Sequence, residues 1–201
     1  MAAPLPRLVV ASGNPGKLRE LGSLLGGLAT ELVTQSELGV AAVAETETTF
    51  LGNALLKARH AARATGCAAL ADDSGLEVEA LGGAPGVRSA RYAGAGASDA
   101  DNNARLLAAL EGVPPPRRAR YRCVIVLLRG PGDAAPLIGE GSWEGRIAAA
   151  PRGAGGFGYD PLFLPGDGAR TVAELAAAEK NRVSHRGRAL AALLAAWRAQ
   201  P

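Results

Sequence analysis

The first apolar run, Leu8-Val9-Val10-Ala11, is short and flanked by polar residues, which predicts a buried strand. Leu18, Leu21, Leu24 and Leu25 follow at i, i+3 and i+4, the stripe of a helix with one buried face, and Gly26-Gly27 stops it. Glu31 to Gln35 reads as a second strand and 40–48 as an acidic loop. Phe50, Leu51, Ala54, Leu55, Ala58, Ala61 and Ala62 mark the packing side of a long helix from about Thr49 to Thr65, ended by Gly66. Strands at 68–71 and 76–80 are expected on either side of a turn at Asp72-Asp73-Ser74-Gly75. Residues 82–98 read as one long loop, and Ser98-Asp99 as the cap of a helix over 99–111. Strands at 119–128 and 137–147 flank the turn Pro131-Gly132-Asp133 and are expected to pair antiparallel. A glycine-rich stretch at 151–168, a short helix near 172–178 and a last helix at 184–199 capped by Ser184 complete the pattern. Strands alternating with helices early and strands paired late predict an α/β protein with a mixed sheet.

Composition narrows this picture. At 201 residues the chain can bury a full core as a single domain, 1–201. The net charge of +3 is spread along the chain, and its one basic run, Arg117 to Arg122, leads into an apolar strand, so it reads as a solvated edge and not a nucleic-acid stripe. No apolar run is long enough to span a bilayer, and with no long apolar segment behind Met1 to Arg7 a secretory leader is not expected. Cys67 and Cys123 are the only cysteines, too few for a disulfide framework or a four-ligand zinc site, so a reducing cytoplasm is expected.

Candidate chemistry gathers at five places. Ser12-Gly13-Asn14-Pro15-Gly16-Lys17 joins the first strand to the first helix. Glycines, helix-start amides and a lysine suit a phosphate, although neither the P-loop nor the dinucleotide glycine spacing is present; an ordinary strand-to-helix turn fits equally. Asp72 and Asp73 lie where a strand ends, so one acid can bind a metal while the other orients a ligand, or both can serve a turn with Ser74 and Gly75. Glu45 and Glu47 precede the long helix as metal ligands or solvated acids, and Lys57 shares a helix face with Asn53 that is either a cleft wall or plain surface. The run Gly155 to Pro161 sets Phe157 and Tyr159 among glycines in a chain that is only 4% aromatic, which favours a stacked flat ligand over an anchored turn. Lys180, His185 and Arg186 supply donors suited to the carbonyl oxygens of a purine, or merely open a surface helix. His60 sits among Lys57, Arg59 and Arg63 and reads as surface, and no nucleophile-base pair stands out.

In order along the chain, Ser12 to Lys17, Phe50 with Asn53-Ala54 and Lys57-Ala58, Ala71-Asp72-Asp73-Ser74-Gly75-Leu76, Gly82 to Val87 with Ser89 to Tyr92, Gly155 to Pro161, and Lys180 with Ser184 to Gly187 resemble the non-canonical purine nucleoside triphosphate (inosine/xanthosine triphosphate) pyrophosphatases. The likeness runs from about residue 8 to residue 198. It implies an elongated mixed β-sheet with flanking helices forming two lobes around a nucleotide-binding cleft. It also implies Mg²⁺-dependent hydrolysis of ITP, dITP and XTP to the monophosphate and pyrophosphate, and a homodimer. Residues 12–17 and Lys57 are then expected to hold the triphosphate, with Asp72 and Ser74 also on substrate. Asp73 becomes the catalytic acid-base group and metal ligand, with Glu45 beside it and Glu47 as a substitute. Phe157, Gly158, Tyr159, Asp160, Lys180, His185 and Arg186 are expected on the base and sugar side. The chain departs from the family pattern at Gly52, where a glutamate is frequent, and at Ala44, which breaks up a pair of acids. Two other readings stand beside this one: a pyrophosphatase for other modified nucleotides, and a nucleotide-binding protein that does not hydrolyse.

Overall fold

The computed structural model describes residues 4–200 except Gly26 and Asp167, and the backbone but not the side chains of Ser23 and Leu24. The expected helix stop at Gly26 and the packing role of Leu24 therefore lie outside the described residues.

Six strands form one mixed open sheet in the order β2-β1-β3-β4-β5-β6. These are β1 (Leu5–Val10), β2 (Ala29–Thr34), β3 (Ala68–Val78), β4 (Arg118–Leu128), β5 (Leu137–Ile147) and β6 (Phe163–Pro165). The helices are α1 (Pro15–Leu24), α2 (Phe50–Thr65), α3 (Asp99–Ala109), α4 (Ala177–Val183) and α5 (His185–Arg198). β1 pairs parallel with both β2 and β3, and β5 pairs antiparallel with β6. No helix among the described residues is long and apolar enough to cross a membrane.

By its contacts the chain divides into two compact units. The first comprises Met1–Asp73, Cys123–Gly141 and Arg186–Pro201. Its core joins Leu8 and Val10 of β1, Leu70 of β3, Ile125 and Leu127 of β4, and Leu190, Leu193 and Trp197 of α5. Leu21 and Leu25 belong to the same core, as their spacing requires. α1 starts where it does because Asn14 caps it and Pro15 occupies its first turn, where a missing N–H costs nothing. α2 runs from its Thr49 cap to Gly66, whose φ of 70° gives the left-handed stop that a side chain would resist.

The second unit comprises Ser74–Arg122 and Ser142–His185. Leu76, Leu106, Tyr121, Trp143, Phe163 and Val172 share its core. α3 opens with a capping box in which Ser98 and Asp101 each satisfy the other's amide. Two short 3-10 helices, Glu79–Leu81 and Gly86–Arg91, fall within or beside the stretch expected as loop. The expected helix near 172–178 is a 3-10 turn at Val172–Glu174 followed by α4, and Ser184 links α4 to α5 in an extended conformation. β6, only three residues long, gave no alternation to read.

One expectation fails outright. Asp72 to Gly75 do not turn; they continue β3 without a break. The turn preference of adjacent acids is local, whereas Ala69 to Ala71 on one side and Leu76 and Val78 on the other are all fully buried. Both acids lie mid-strand, so their side chains alternate across the sheet.

Candidate active site

The first unit assembles one charged cluster. The opening turn is drawn in by its own side chains: Ser12 is buried, Asn14 N donates to Ser12 Oγ over 3.3 Å, and Lys17 N donates to Asn14 Oδ1 over 3.1 Å. That cap uses the Lys17 amide, and the Lys17 side chain runs to β3, where Nζ lies 3.0 Å from Asp72 Oδ2. The same oxygen lies 3.3 Å from Arg186 Nε, and Arg186 also pairs with Glu20, one turn after Lys17 on α1. Burial favours the neutral form of Asp72, but Lys17, Arg186 and Lys57 outweigh it and hold the carboxyl well below the usual range. Asp72 is thus a permanent anion and a poor base.

Its neighbour is tuned the other way. Asp73, 4% exposed, accepts from Asn53 Nδ2 over 3.0 Å and lies 3.8 Å from Lys57 Nζ. Burial raises its pKa, and Lys57 and Lys17 only partly offset that. Lys57 in turn lies 2.7 Å from Glu45 Oε1, and the pull of Asp72, Asp73 and Glu45 overrides burial to keep its ammonium protonated. Two adjacent carboxylates with opposite shifts can divide labour, one anchoring and one exchanging a proton. Cys123 is buried nearby, its thiol pushed up to about 12 by burial and by Asp72, so it offers no thiolate.

The second unit gathers donors around one carboxylate. Asp160, 2% exposed, accepts from Phe157 N at 2.9 Å and Lys180 Nζ at 2.5 Å through Oδ2, and from Tyr121 OH at 3.3 Å through Oδ1. Gly156 makes room for this: its φ is +72°, and a Cβ would meet Asp160 Oδ2 at 2.1 Å. Lys180 Nζ stands 4.3 Å from the centroid of the partly exposed Phe157 ring. The His185 ring stacks on Tyr121, centroids 4.5 Å apart and planes 11° from parallel. Gly158 is clasped by α3, its N donating to Asp99 Oδ2 at 2.6 Å and its carbonyl accepting from Asn103 Nδ2 at 2.8 Å.

Residues 8–196 of the chain match the model of the Ham1 family. The chain belongs to that family. Among its Ham1 relatives, the dITP/XTP pyrophosphatase of Pectobacterium atrosepticum is 53% identical over 195 residues, covering 96% of this chain and 99% of the relative. The dITP/XTP pyrophosphatase of Xanthomonas oryzae pv. oryzae is 59% identical over 190 residues, covering 94% and 96%. A solved HAM1 protein from Coxiella burnetii superposes with a TM-score of 0.88 at 48% identity, over 96% of this chain and 99% of that one.

In this Ham1 chain the candidate residues separate by role. Ser12 to Lys17, Glu45, Lys57, Asp72 and Asp73 sit in the first unit, and Ser74, partly exposed, continues β3 into the second. Several of the expected site residues are engaged by protein partners. Tyr159 is buried and donates to Ser89 O over 2.8 Å, the Asp160 carboxylate orients its own turn, and the Arg186 guanidinium is shared by Asp72 and Glu20. Their sequence signal came from short motifs, which do not say on which side of the chain a side chain lies. Asn53, Tyr121, Asp99 and Asn103 carry contacts that no motif singled out for them, although the shared helix face of Asn53 and Lys57 was readable from their spacing.

Proposed function

We infer that the chain hydrolyses the purine nucleoside triphosphates ITP, dITP and XTP to the monophosphate and pyrophosphate, cutting the α–β phosphoanhydride bond and clearing these nucleotides from the pool. The observation that carries this reading, in a Ham1 fold, is the Asp72-Asp73 pair: one acid held as an anion by Lys17 and Arg186, the other buried, raised in pKa and beside Lys57.

Mg²⁺ fits the donor set. Among the described residues no three His, Cys, Asp or Glu side chains form a protein-only cage, and Mg²⁺ asks for none, since it binds through one or two carboxylates together with substrate phosphates. Glu45 and Asp73 both face the ammonium of Lys57, so two hard oxygen donors already converge on one cation. These two would hold the metal, with Glu47 the lesser choice because its side chain is exposed. When bound, Mg²⁺ supplies charge neutralisation on the phosphate oxygens.

The protein's own groups do the rest. Lys17 and the backbone amides of Gly13 and Gly16 hold the phosphate chain, and Lys57 stabilises charge that grows on the departing pyrophosphate. Asp73 orients the attacking water and takes its proton; a carboxylate is a weak base, so its placement beside Asn53 and Lys57 matters more than its basicity. The Phe157 ring stacks on the base, and Lys180 and His185 offer donors to its 6-carbonyl. Adenine presents an amino donor there, and leaving buried donors unmatched can discriminate by about 10⁴ to 10⁵. We also propose a homodimer working in the cytoplasm, with the nucleotide as its partner and no nucleic acid.

Pyrophosphate release from dITP, XTP, GTP and ATP, with and without Mg²⁺, tests this. Rapid turnover of dITP and XTP only with the metal is expected. Equal use of ATP, or no turnover of any of the four, would overturn it.

A further inference from the structure

Glu45 belongs to a segment, residues 40–47, with no helix or strand of its own. Such a segment keeps one shape only if side chains hold it. Three of the bonds that do so come from a single row on α2. Asn53 Oδ1 accepts from Glu47 N over 3.0 Å, Lys57 Nζ reaches Glu45 Oε1 over 2.7 Å, and His60 Nε2 lies 2.9 Å from Ala41 O. Positions 53, 57 and 60 are spaced i, i+4 and i+7, one face of the helix. Gly52 permits the close approach: a Cβ there would stand 2.7 Å from Glu47 Cβ.

Asn53 differs from the other two. It is fully buried, and each end of its amide serves a different element: Oδ1 takes the loop amide and Nδ2 donates to Asp73 Oδ2 over 3.0 Å. Chemistry fixes that orientation, because an N–H needs the oxygen and a carboxylate needs the NH₂. Asparagine is a poor helix former, and leucine or methionine would suit α2 better. Neither could make these two bonds.

We propose that Asn53 is a positioning residue for the hydrolysis, one buried amide that orients the Asp73 carboxylate and pins the loop presenting Glu45. The proposal rests on the hydrolase reading above. Asn53 acts through Asp73 and the loop, while Lys17, Phe157 and Lys180 are held by other contacts, so its loss lowers turnover and spares substrate affinity.

The test uses the full chain as N53A and N53D. N53A removes both bonds; N53D keeps an oxygen for Glu47 N and loses the donor to Asp73. With dITP and saturating Mg²⁺, kcat is expected to fall by about 100-fold or more in both, the scale of a misplaced reacting group, with KM within about threefold. Without nucleotide or metal, hydrogen exchange across 41–48 should rise by about tenfold in N53A and stay at the wild-type rate in N53D, with 54–65 unchanged in both. A kcat within about threefold of wild type in N53D, a KM that moves as far as kcat, or unchanged loop exchange in N53A would overturn the proposal. If N53A does not fold, N53D decides alone. An inactive wild type overturns the hydrolase reading and this proposal together; an active wild type with an unaffected N53D overturns only the role of Asn53.

Discussion

The two charged clusters are built on opposite plans. Around Asp72 and Asp73, several acids share several cations, and Lys57 alone feels Asp72, Asp73 and Glu45. Around Asp160, one acid collects a lysine, a tyrosine hydroxyl and a backbone amide. The first plan sets protonation: neighbours in sequence end with pKa values pushed apart. The second sets shape, fixing the Phe157 turn, the Lys180 head and, through Tyr121, the plane of His185. Changing a charge should therefore damage chemistry in the first cluster and recognition in the second.

The sharpest way to break that contrast is D73N. Turnover of dITP should fall by roughly 10³-fold or more while the protein stays folded, measured as pyrophosphate release. The same variant should melt at a higher temperature than wild type at pH 7 in a chelator. The folded pKa of Asp73 lies above its unfolded value, so ionisation costs stability as pH rises through that window, and the amide has no such cost. Wild-type and variant melting points should converge in acid, below the unfolded pKa. A melting point lowered at pH 7 would contradict the split between the two acids.

D72N probes the other acid. Leaving Lys17 and Arg186 with a neutral partner should cost about 3 to 5 kcal/mol in urea unfolding, as for a broken buried pair. Here the folded pKa is depressed, so the wild-type contribution is complete above the unfolded value of about 4 and fades only as pH falls toward the lowered one.

In the second cluster D160N also breaks a buried pair and should lose stability as D72N does, while the kinetic losses are smaller than for D73N and fall on binding. D160N keeps the fold of the turn but weakens its hold on Lys180; KM for dITP should rise by about tenfold with a lesser change in kcat, and the preference over ATP should narrow. Y121F removes one 3.3 Å hydrogen bond and keeps the ring stack, so KM should rise only about twofold to threefold.

The same contrast explains what could be read from sequence. Periodicity located α2 to within a residue, because Ala54, Ala58, Ala61 and Ala62 are its packing face, and Ser98 announced α3 as a cap. Turn chemistry misread β3, because buried acids mimic a turn until their partners are known, and Lys17, Arg186 and Asn53 lie far from them in the chain. The acidic pair and the glycine-aromatic turn were visible as motifs. Which side chains face outward was not, since Tyr159 and Asp160 are spent on contacts 70 and 39 residues away. Gly52, a departure from the family pattern in sequence, is in the structure the place where Glu47 crosses α2.

The grip of α3 on Gly158 has a consequence for anyone breeding new variants. Asp99 and Asn103 hold the Phe157–Asp160 turn, proposed above to meet the base, by its backbone, through one amide and one carbonyl. Random libraries screened for altered base preference should then return winners at 99 and 103 as readily as at Phe157. A library confined to the aromatic turn would leave the residues that hold its backbone unsearched.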